Sequence, residues 1–101
     1  MIRYQNKKYI AAKSDFDVAI SIDNTALSFI YGRGLSKYAM KNKNGAKSDA
    51  MRLIQKGNSY GYHIRGLVYL LEDNISKACS DFKKAKGLGG AALRDYNENC
   101  N

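Results

Sequence analysis

Proline and tryptophan are absent from this sequence of 101 residues, and histidine occurs only once. No segment alternates cleanly between polar and apolar residues, so strands are not expected and the chain is predicted to be all-α. No apolar run approaches the roughly 20 residues that a membrane-spanning helix needs, so we expect no membrane partner. The N-terminal segment 1–8 is polar and lacks the apolar stretch of a signal peptide, which favours a cytoplasmic protein.

Residues that could catalyse a reaction or hold a metal are also few. The two cysteines, Cys79 and Cys100, lack the four-ligand spacing of a zinc site. We expect Cys79 to be a small core thiol; its pairing with Cys100 is an alternative that would matter in an oxidising compartment. His63 has no serine or cysteine motif beside it. Four aspartates are expected on solvated helix faces: Asp15, Asp17, Asp49 and Asp81. The sequence therefore predicts neither an enzyme nor a cofactor.

Acidic residues are scarce relative to basic ones, nine against 17, which gives a formal net charge of +8. A surplus of this size favours an acidic partner, either an acidic protein surface or a nucleic acid, and simple solubility is the other explanation. The basic residues are spread along the chain and form no arginine-rich arm. The signal for nucleic-acid binding is therefore weak.

What the chain does contain is an internal repeat. Four residues with offsets of three, seven and ten share one helical stripe near the N-terminus: Tyr9, Ala12, Phe16 and Ala19. The same offsets recur near the other end in Ile75, Ala78, Phe82 and Ala85. A degraded copy lies between them: Ala46, Ala50 and Leu53. The first alanines of the three stripes are spaced by 34 and 32 residues, a period that indicates a helical-repeat architecture.

A second element recurs at the same period. Arg33-Gly34-Leu35 is matched 32 residues later by Arg65-Gly66-Leu67, and each glycine lies 12 residues before its repeat alanine. Two helices therefore alternate at constant phase, and the glycines and alanines let their backbones approach closely. One such unit cannot bury its apolar face alone, so neighbouring units are expected to stack. The two arginines are expected to join adjacent helices rather than to bind anions.

This pattern resembles the tetratricopeptide repeat (TPR) family, whose period is about 34 residues. Ala78-x3-Phe82 resembles the second-helix half of the family signature, Gly66 the first-helix glycine, and Tyr62 and Tyr69 its aromatic positions. The proline that closes each family repeat is missing throughout. The resemblance implies a right-handed α-solenoid of antiparallel helix pairs.

On this basis residues 1–101 form a single TPR-like domain. Its parts are a partial repeat, two full repeats and a capping helix: 1–24, 25–58, 59–90 and 91–101. Helices are predicted at 7–22, 27–40, 45–56, 60–71 and 75–86, with a short last helix over 91–96. Residues 1–6 are expected to be the tail of a preceding helix, so the chain would open inside a repeat or belong to a longer array. The middle repeat matches least well, and its packing is expected to be the weakest.

The resemblance also implies where a partner would bind, since the first helix of each TPR repeat lines the concave surface. The groove-facing stripe maps to Tyr31, Leu35 and Tyr38 on one helix. The equivalent stripe on the next is His63, Leu67 and Leu70. Lys37 and Lys41 are expected to supply part of a basic rim. Aromatic and aliphatic anchors with such a rim suit a partner segment that carries acidic groups.

The sequence thus predicts a scaffold that holds an acidic or extended segment of another protein in this groove. Two alternatives stay open: a basic helical module that binds nucleic acid, and a segment for oligomerisation. Self-association would use the incomplete N-terminal repeat, whose unfinished face would be an exposed apolar patch.

Overall fold

The computed structural model describes the backbone of residues 2–85 and 90–100 and the side chains of residues 8–85 and 94–100. Within these ranges the chain forms six α-helices and no strand. The helices are α1 (Ile2–Ile22), α2 (Leu27–Ala39), α3 (Lys43–Gln55), α4 (Tyr60–Leu71), α5 (Ile75–Ala85) and α6 (Gly90–Asn99). The all-α prediction is therefore confirmed for the part of the chain that the structure describes.

Two predicted boundaries were wrong. Residues 1–6 were expected to be the tail of a separate helix, but α1 runs without a break from Ile2 to Ile22. No proline or glycine interrupts this segment, so nothing in it ends a helix. The last helix begins at Gly90 and reaches Asn99, which is longer than the predicted 91–96. Residues 87–89, between the predicted fifth and last helices, lie outside the described residues.

The turns that follow α2 and α4 have the same construction. Each helix ends two residues before a left-handed residue, Lys41 at φ 64° and Asp73 at φ 58°. The next residue is an asparagine whose side-chain oxygen accepts a hydrogen bond from a backbone N–H three residues on: Asn42 from Gly45 and Asn74 from Lys77. One turn therefore ends a helix and caps the next within three residues.

Each helix packs against the next along the chain, and α2 also contacts α4. The main core is formed by α1 to α4 and has seven buried members: Ile20, Ile30, Ala46, Ala50, Leu53, Ile64 and Val68. A second, smaller cluster consists of Leu67, Ala78 and Phe82, with Tyr96 and Cys100 packed against it.

The quality of the three repeat stripes differs from the expected order. Ala46, Ala50 and Leu53 of the middle repeat are fully buried, so the prediction that this repeat packs worst was wrong. The stripe on α1 is only half-buried because α2 is the main described neighbour of α1. On α5 the stripe is buried except for Ile75, which is exposed in the first turn. Burial thus follows the number of neighbouring helices more closely than the match to the repeat signature.

None of the described helices is both long enough and apolar enough to cross a membrane.

Candidate functional site

Arg33 on α2 joins three helices through charged contacts. Its Nε and Nη2 atoms donate to the two carboxylate oxygens of Asp49 on α3, at 3.0 and 2.7 Å. Its Nη1 donates to Asp17 on α1 at 3.0 Å. Lys37 adds a second cation to Asp49 at 3.2 Å. Hydrogen bonding to Asp49 raises the pKa of the Arg33 guanidinium above its ordinary value. Together with Lys13, which also pairs with Asp17, three cations meet two carboxylates at this crossing.

Arg65 on α4 occupies the equivalent position 32 residues later. Its Nε and Nη2 atoms donate to Asp81 on α5 at 2.8 and 3.0 Å, the same two-pronged contact that Arg33 makes with Asp49. Met51 takes the place of Asp17, and its sulfur accepts a hydrogen bond from Nη1 at 3.3 Å. The expectation that both arginines join adjacent helices is confirmed by these contacts.

The acidic partners correct another prediction. Asp49 and Asp81 were expected on solvated faces, yet they are only 3 % and 2 % exposed. A buried carboxylate needs a paired cation, and each finds an arginine 16 residues earlier in the chain. That spacing, repeated in both units, is the signal that could have identified them. Asp17 is half-exposed, and a hydrogen bond from Lys13, with a further one from Arg33, lowers its pKa.

Three polar side chains, one from each of α2, α4 and α6, form a row that crosses these helices. Tyr31 and His63 are joined at 2.8 Å through the tyrosine oxygen and Nδ1, and His63 Nε2 lies 2.7 Å from Asp95 Oδ2. Because an ionised carboxylate can only accept, Nε2 carries a proton and donates to Asp95. In the neutral imidazole, Nδ1 then accepts from the tyrosine O–H. The three residues are spaced by 32 and 32 positions.

This row joins helices and does not activate a nucleophile. His63 is 2 % exposed, so its ring is closed to a substrate. Burial raises the pKa of Tyr31 to about 12, with smaller contributions from the nearby Tyr60 and Asp95. A raised pKa makes this hydroxyl a weaker acid at neutral pH, the opposite of what a nucleophilic tyrosine needs.

The structure divides the predicted groove residues into two groups. His63 and Leu67 are buried, the latter only 6 % exposed, so their side chains are packed inside the fold, whereas the prediction placed them on the stripe that faces a partner. The other four are half-buried: Tyr31, Leu35, Tyr38 and Leu70. Of the predicted basic rim, Lys37 is held by Asp49 in the interior of the α2–α3 crossing, whereas Lys41 is exposed. Burial raises the pKa of Tyr38 above its ordinary value, and the nearby carboxylate of Asp95 raises it further.

A basic and aromatic face lies on the outer side of α4 and α5, and sequence reasoning missed it. Lys84 lies 5.1 Å from the ring centre of Tyr62, and Lys77 lies 5.7 Å from that of Tyr69. Arg65 sits between the two rings, 5.6 Å and 5.9 Å from their centres. These five side chains and Lys47, which lies 5.1 Å from the ring centre of Tyr69, are called here the tyrosine–lysine face.

An open pocket of about 210 Å³ lies in this face. Its lining residues are Arg65, Tyr69, Lys77, Ser80, Asp81 and Lys84. The signal that could have found it is the shared spacing of seven residues between the tyrosines on α4 and between the lysines on α5. Seven residues are two helical turns, so each pair lies on one side of its helix.

Cys79 and Cys100 form a disulfide, with Cα atoms 5.6 Å apart. The interpretation of Cys79 as a free core thiol was therefore wrong, and the alternative of a bond between the last repeat and its cap is the one observed. Among the described residues, no group of three or more histidine, cysteine or acidic side chains could hold a metal ion.

Exposed apolar side chains concentrate on α1. Ile10, Val18 and Ile22 are 54 %, 60 % and 82 % exposed, and no other described helix leaves so many large apolar residues open. This is the surface on which self-association was predicted; nothing in the structure shows what covers it.

The chain matches no protein-family model, no curated protein and no solved structure. The resemblance to TPR proteins therefore remains a prediction that depends on the residues of the repeat.

Proposed function

We propose that this protein is a TPR-like scaffold whose helices α2, α4 and α6 together present one face to a segment of a partner protein. The observation that carries the proposal is the row of Tyr31, His63 and Asp95. One residue from each helix, at a constant spacing of 32, is joined to the next by a hydrogen bond. Three equivalent helices held side by side in this way form a continuous surface on which an extended segment or a helix can lie.

The anchors on this surface are the half-buried members of the predicted stripe, chiefly Tyr38 and Leu70 with Leu35 between them. Their apolar surfaces flank the cluster that Leu67 and Phe82 form beneath them. Aromatic and aliphatic side chains in such a supported position are the usual energetic centres of protein interfaces. His63 and Leu67 contribute from below by fixing the positions of the helices.

The test is capture of partners from native lysate, using the disulfide-bonded protein as bait and mass spectrometry as the readout. A Leu67→Asp substitution is unsuitable because a buried charge would unfold the second cluster. We use instead Tyr38→Ala combined with Leu70→Ala. The matched control is Val18→Ala combined with Ile75→Ala, which removes exposed apolar groups from two helices that carry no member of the row.

We expect a protein that is captured by the wild type and by the control but lost by the Tyr38→Ala, Leu70→Ala variant. Circular dichroism must show that all three proteins keep the same helix content. Equal capture by the two variants would overturn the assignment of this face, and capture of nucleic acid alone would overturn the scaffold function.

A further inference from the structure

The tyrosine–lysine face carries more positive charge than its own carboxylates neutralise. Arg65 is paired with Asp81, and Lys47 lies 3.7 Å from Glu72. Lys77 and Lys84 have no carboxylate within ion-pair distance among the described side chains. Two ammonium groups are thus held over tyrosine rings with no counter-charge from the described side chains, in a molecule with a net charge of +8.

The arrangement is more than a scatter of surface lysines. Lys77, Ser80 and Lys84 have offsets of three and seven, so one hydroxyl lies between two ammonium groups on a single stripe of α5. The pocket opens along this stripe, and Arg65 lines it from α4. Cation–π contact with Tyr62 and Tyr69 restricts where the lysine ammonium groups lie, which lowers the entropy that a bound anion would otherwise have to remove.

We propose that this face is a second binding site, whose ligand is an acidic peptide segment of a partner protein. The Cα atoms of Lys77 and Lys84 are about 10 Å apart along α5, at roughly 1.5 Å per residue. An extended peptide rises about 3.3 Å per residue, so carboxylates about three residues apart reach both lysines. The serine hydroxyl between them donates to a peptide oxygen in the pocket.

Peptide carboxylates fit this face better than a nucleic acid does. Single-stranded nucleic acids are held on basic surfaces by bases that stack on open aromatic rings. Here cations lie over both tyrosine rings: Lys47, Arg65 and Lys77 over Tyr69, and Arg65 and Lys84 over Tyr62. The rings therefore serve to hold the cations, and the site offers positive charge without a stacking platform.

The site shares no residue with the face proposed above, so it stands or falls independently of that proposal. Its test measures fluorescence anisotropy of a labelled peptide with glutamate at every third position and serine at the others, titrated with the disulfide-bonded protein. A peptide with glutamine in place of glutamate, and an oligouridylate, serve as the other probes. The test variant is Lys77→Gln with Lys84→Gln. The control is Lys8→Gln with Lys56→Gln, which removes the same charge from exposed positions on α1 and at the end of α3.

We expect the glutamate peptide to bind and the glutamine peptide not to bind. The Lys77→Gln, Lys84→Gln variant should weaken binding about fivefold, the effect of losing two partly exposed charge pairs, and the control less than about twofold. In amide NMR spectra of the wild type, the shifts that change on binding should cluster around Ser80.

An equal loss in the two variants would overturn the proposal, because it would show that net charge alone attracts the peptide. So would tighter binding of the oligouridylate than of the glutamate peptide with the same dependence on Lys77 and Lys84. Absence of glutamate-peptide binding at low ionic strength, where screening is weakest, would also overturn it.

Discussion

The two arginine crossings of this molecule are built from the same repeat position and lead to different surfaces. At the first crossing Arg33 contacts two carboxylates, and the position equivalent to Tyr69 is Lys37, which pairs with Asp49. The charges of Arg33 and Lys37 are therefore paired with carboxylates within the fold. At the second crossing Arg65 contacts one carboxylate and one sulfur atom. The rings of Tyr62 and Tyr69 lie beside its guanidinium group.

The difference teaches how a repeat can vary its surface without losing its packing. The contact that joins two helices, arginine to a buried aspartate, is the same in both units. The partner of the arginine Nη1 atom is what changes, from Asp17 to Met51. Where that partner is neutral and aromatic rings stand beside the arginine, lysines of neighbouring helices gather over the rings. The outer face of α4 and α5 acquires its charge in this way.

The largest effect on stability is expected from the disulfide, which ties the end of α6 to α5 in the second unit and has no counterpart in the first. Reduction of the bond between Cys79 and Cys100, or Cys100→Ser, should lower the free energy of unfolding by about 3 kcal/mol, because the bond closes a loop of moderate length in the unfolded chain. Chemical denaturation with and without reductant measures this. A change below about 1 kcal/mol would contradict a constraint of that kind.

The same bond bears on the prediction that the protein is cytoplasmic. Disulfides persist in oxidising compartments and are rare in the reducing cytosol, so the bond and that prediction point in opposite directions. Counting free thiols in protein isolated from its native source decides between them. No free thiol would favour an oxidising compartment, and two would favour the cytoplasm.

Truncating the aspartates tests whether the two crossings differ as described. Asp49→Ala leaves two cations, Arg33 and Lys37, without their buried partner, whereas Asp81→Ala leaves only Arg65. Since breaking a buried pair costs several kcal/mol and these arginines are partly exposed, we expect losses of about 2.5 and about 1.5 kcal/mol respectively. Thermal or urea denaturation measures the difference. The same truncation is made at both sites, so equal losses would contradict the additional role of Lys37.

The packing glycines sharpen the comparison further. A Cβ atom on Gly66 would lie 2.6 Å from the ring of Phe82 and 3.2 Å from the carbonyl oxygen of Ala78, neither of which can move easily. On Gly34 it would lie 2.6 Å from the terminal methyl of Ile64, which is the flexible end of a side chain, and 3.3 Å from the Cβ atom of Asp49. We expect Gly66→Ala to cost about 2 kcal/mol through overpacking.

Gly34→Ala should be close to neutral, because the gain of about 1 kcal/mol in helix propensity offsets the shift of Ile64. Melting temperatures of the two variants, measured side by side, decide this. A larger loss for Gly34→Ala than for Gly66→Ala would show that the two helix contacts are not ordered in this way.

We expect the protein to lose stability in alkali because of Tyr31, which belongs to the row that links both units. The pKa of Tyr31 is raised to about 12 in the folded protein, above its ordinary value of 10.0. Between these values the unfolded state has released the proton and the folded state has kept it, so stability falls as pH rises from about 10 and levels off above about 12. Below pH 10 Tyr31 contributes no pH dependence.

Urea denaturation at pH 9 and pH 11 measures this loss, with Tyr31→Phe as the control. The variant lacks the hydroxyl that titrates, so part of the alkaline loss should disappear. It should also be less stable at neutral pH by about 1 kcal/mol, because His63 loses a hydrogen-bond partner inside the fold. An identical alkaline loss in both proteins would assign the effect to other tyrosines.

Much of the fold could be predicted from the sequence, whereas the site could not. The helices followed from the spacing of small and aromatic residues, and the role of Arg33 and Arg65 from their place beside the packing glycines. The burial of His63 could not be predicted, because it depends on Asp95, which reaches it from a helix 32 residues away. The tyrosine–lysine face needed the relative positions of α4 and α5, since neither stripe alone shows which cation lies over which ring.

The smallest expected effect comes from Met51→Asp, which gives the second crossing the carboxylate that the first one has in Asp17. Met51 is partly exposed and its sulfur already receives Arg65 Nη1, so a carboxylate in its place would form an exposed ion pair. Such pairs contribute little, and we expect a gain of about 0.5 kcal/mol in the free energy of unfolding.

Binding should respond to Met51→Asp more than stability does. The added negative charge lies beside the tyrosine–lysine face, so affinity for the glutamate peptide should fall while the fold is unchanged. Calorimetric unfolding and the anisotropy titration measure the two quantities on one preparation. Unchanged peptide affinity together with the gain in stability would mean that the neutral residue at position 51 is not what leaves this face open to an acidic ligand.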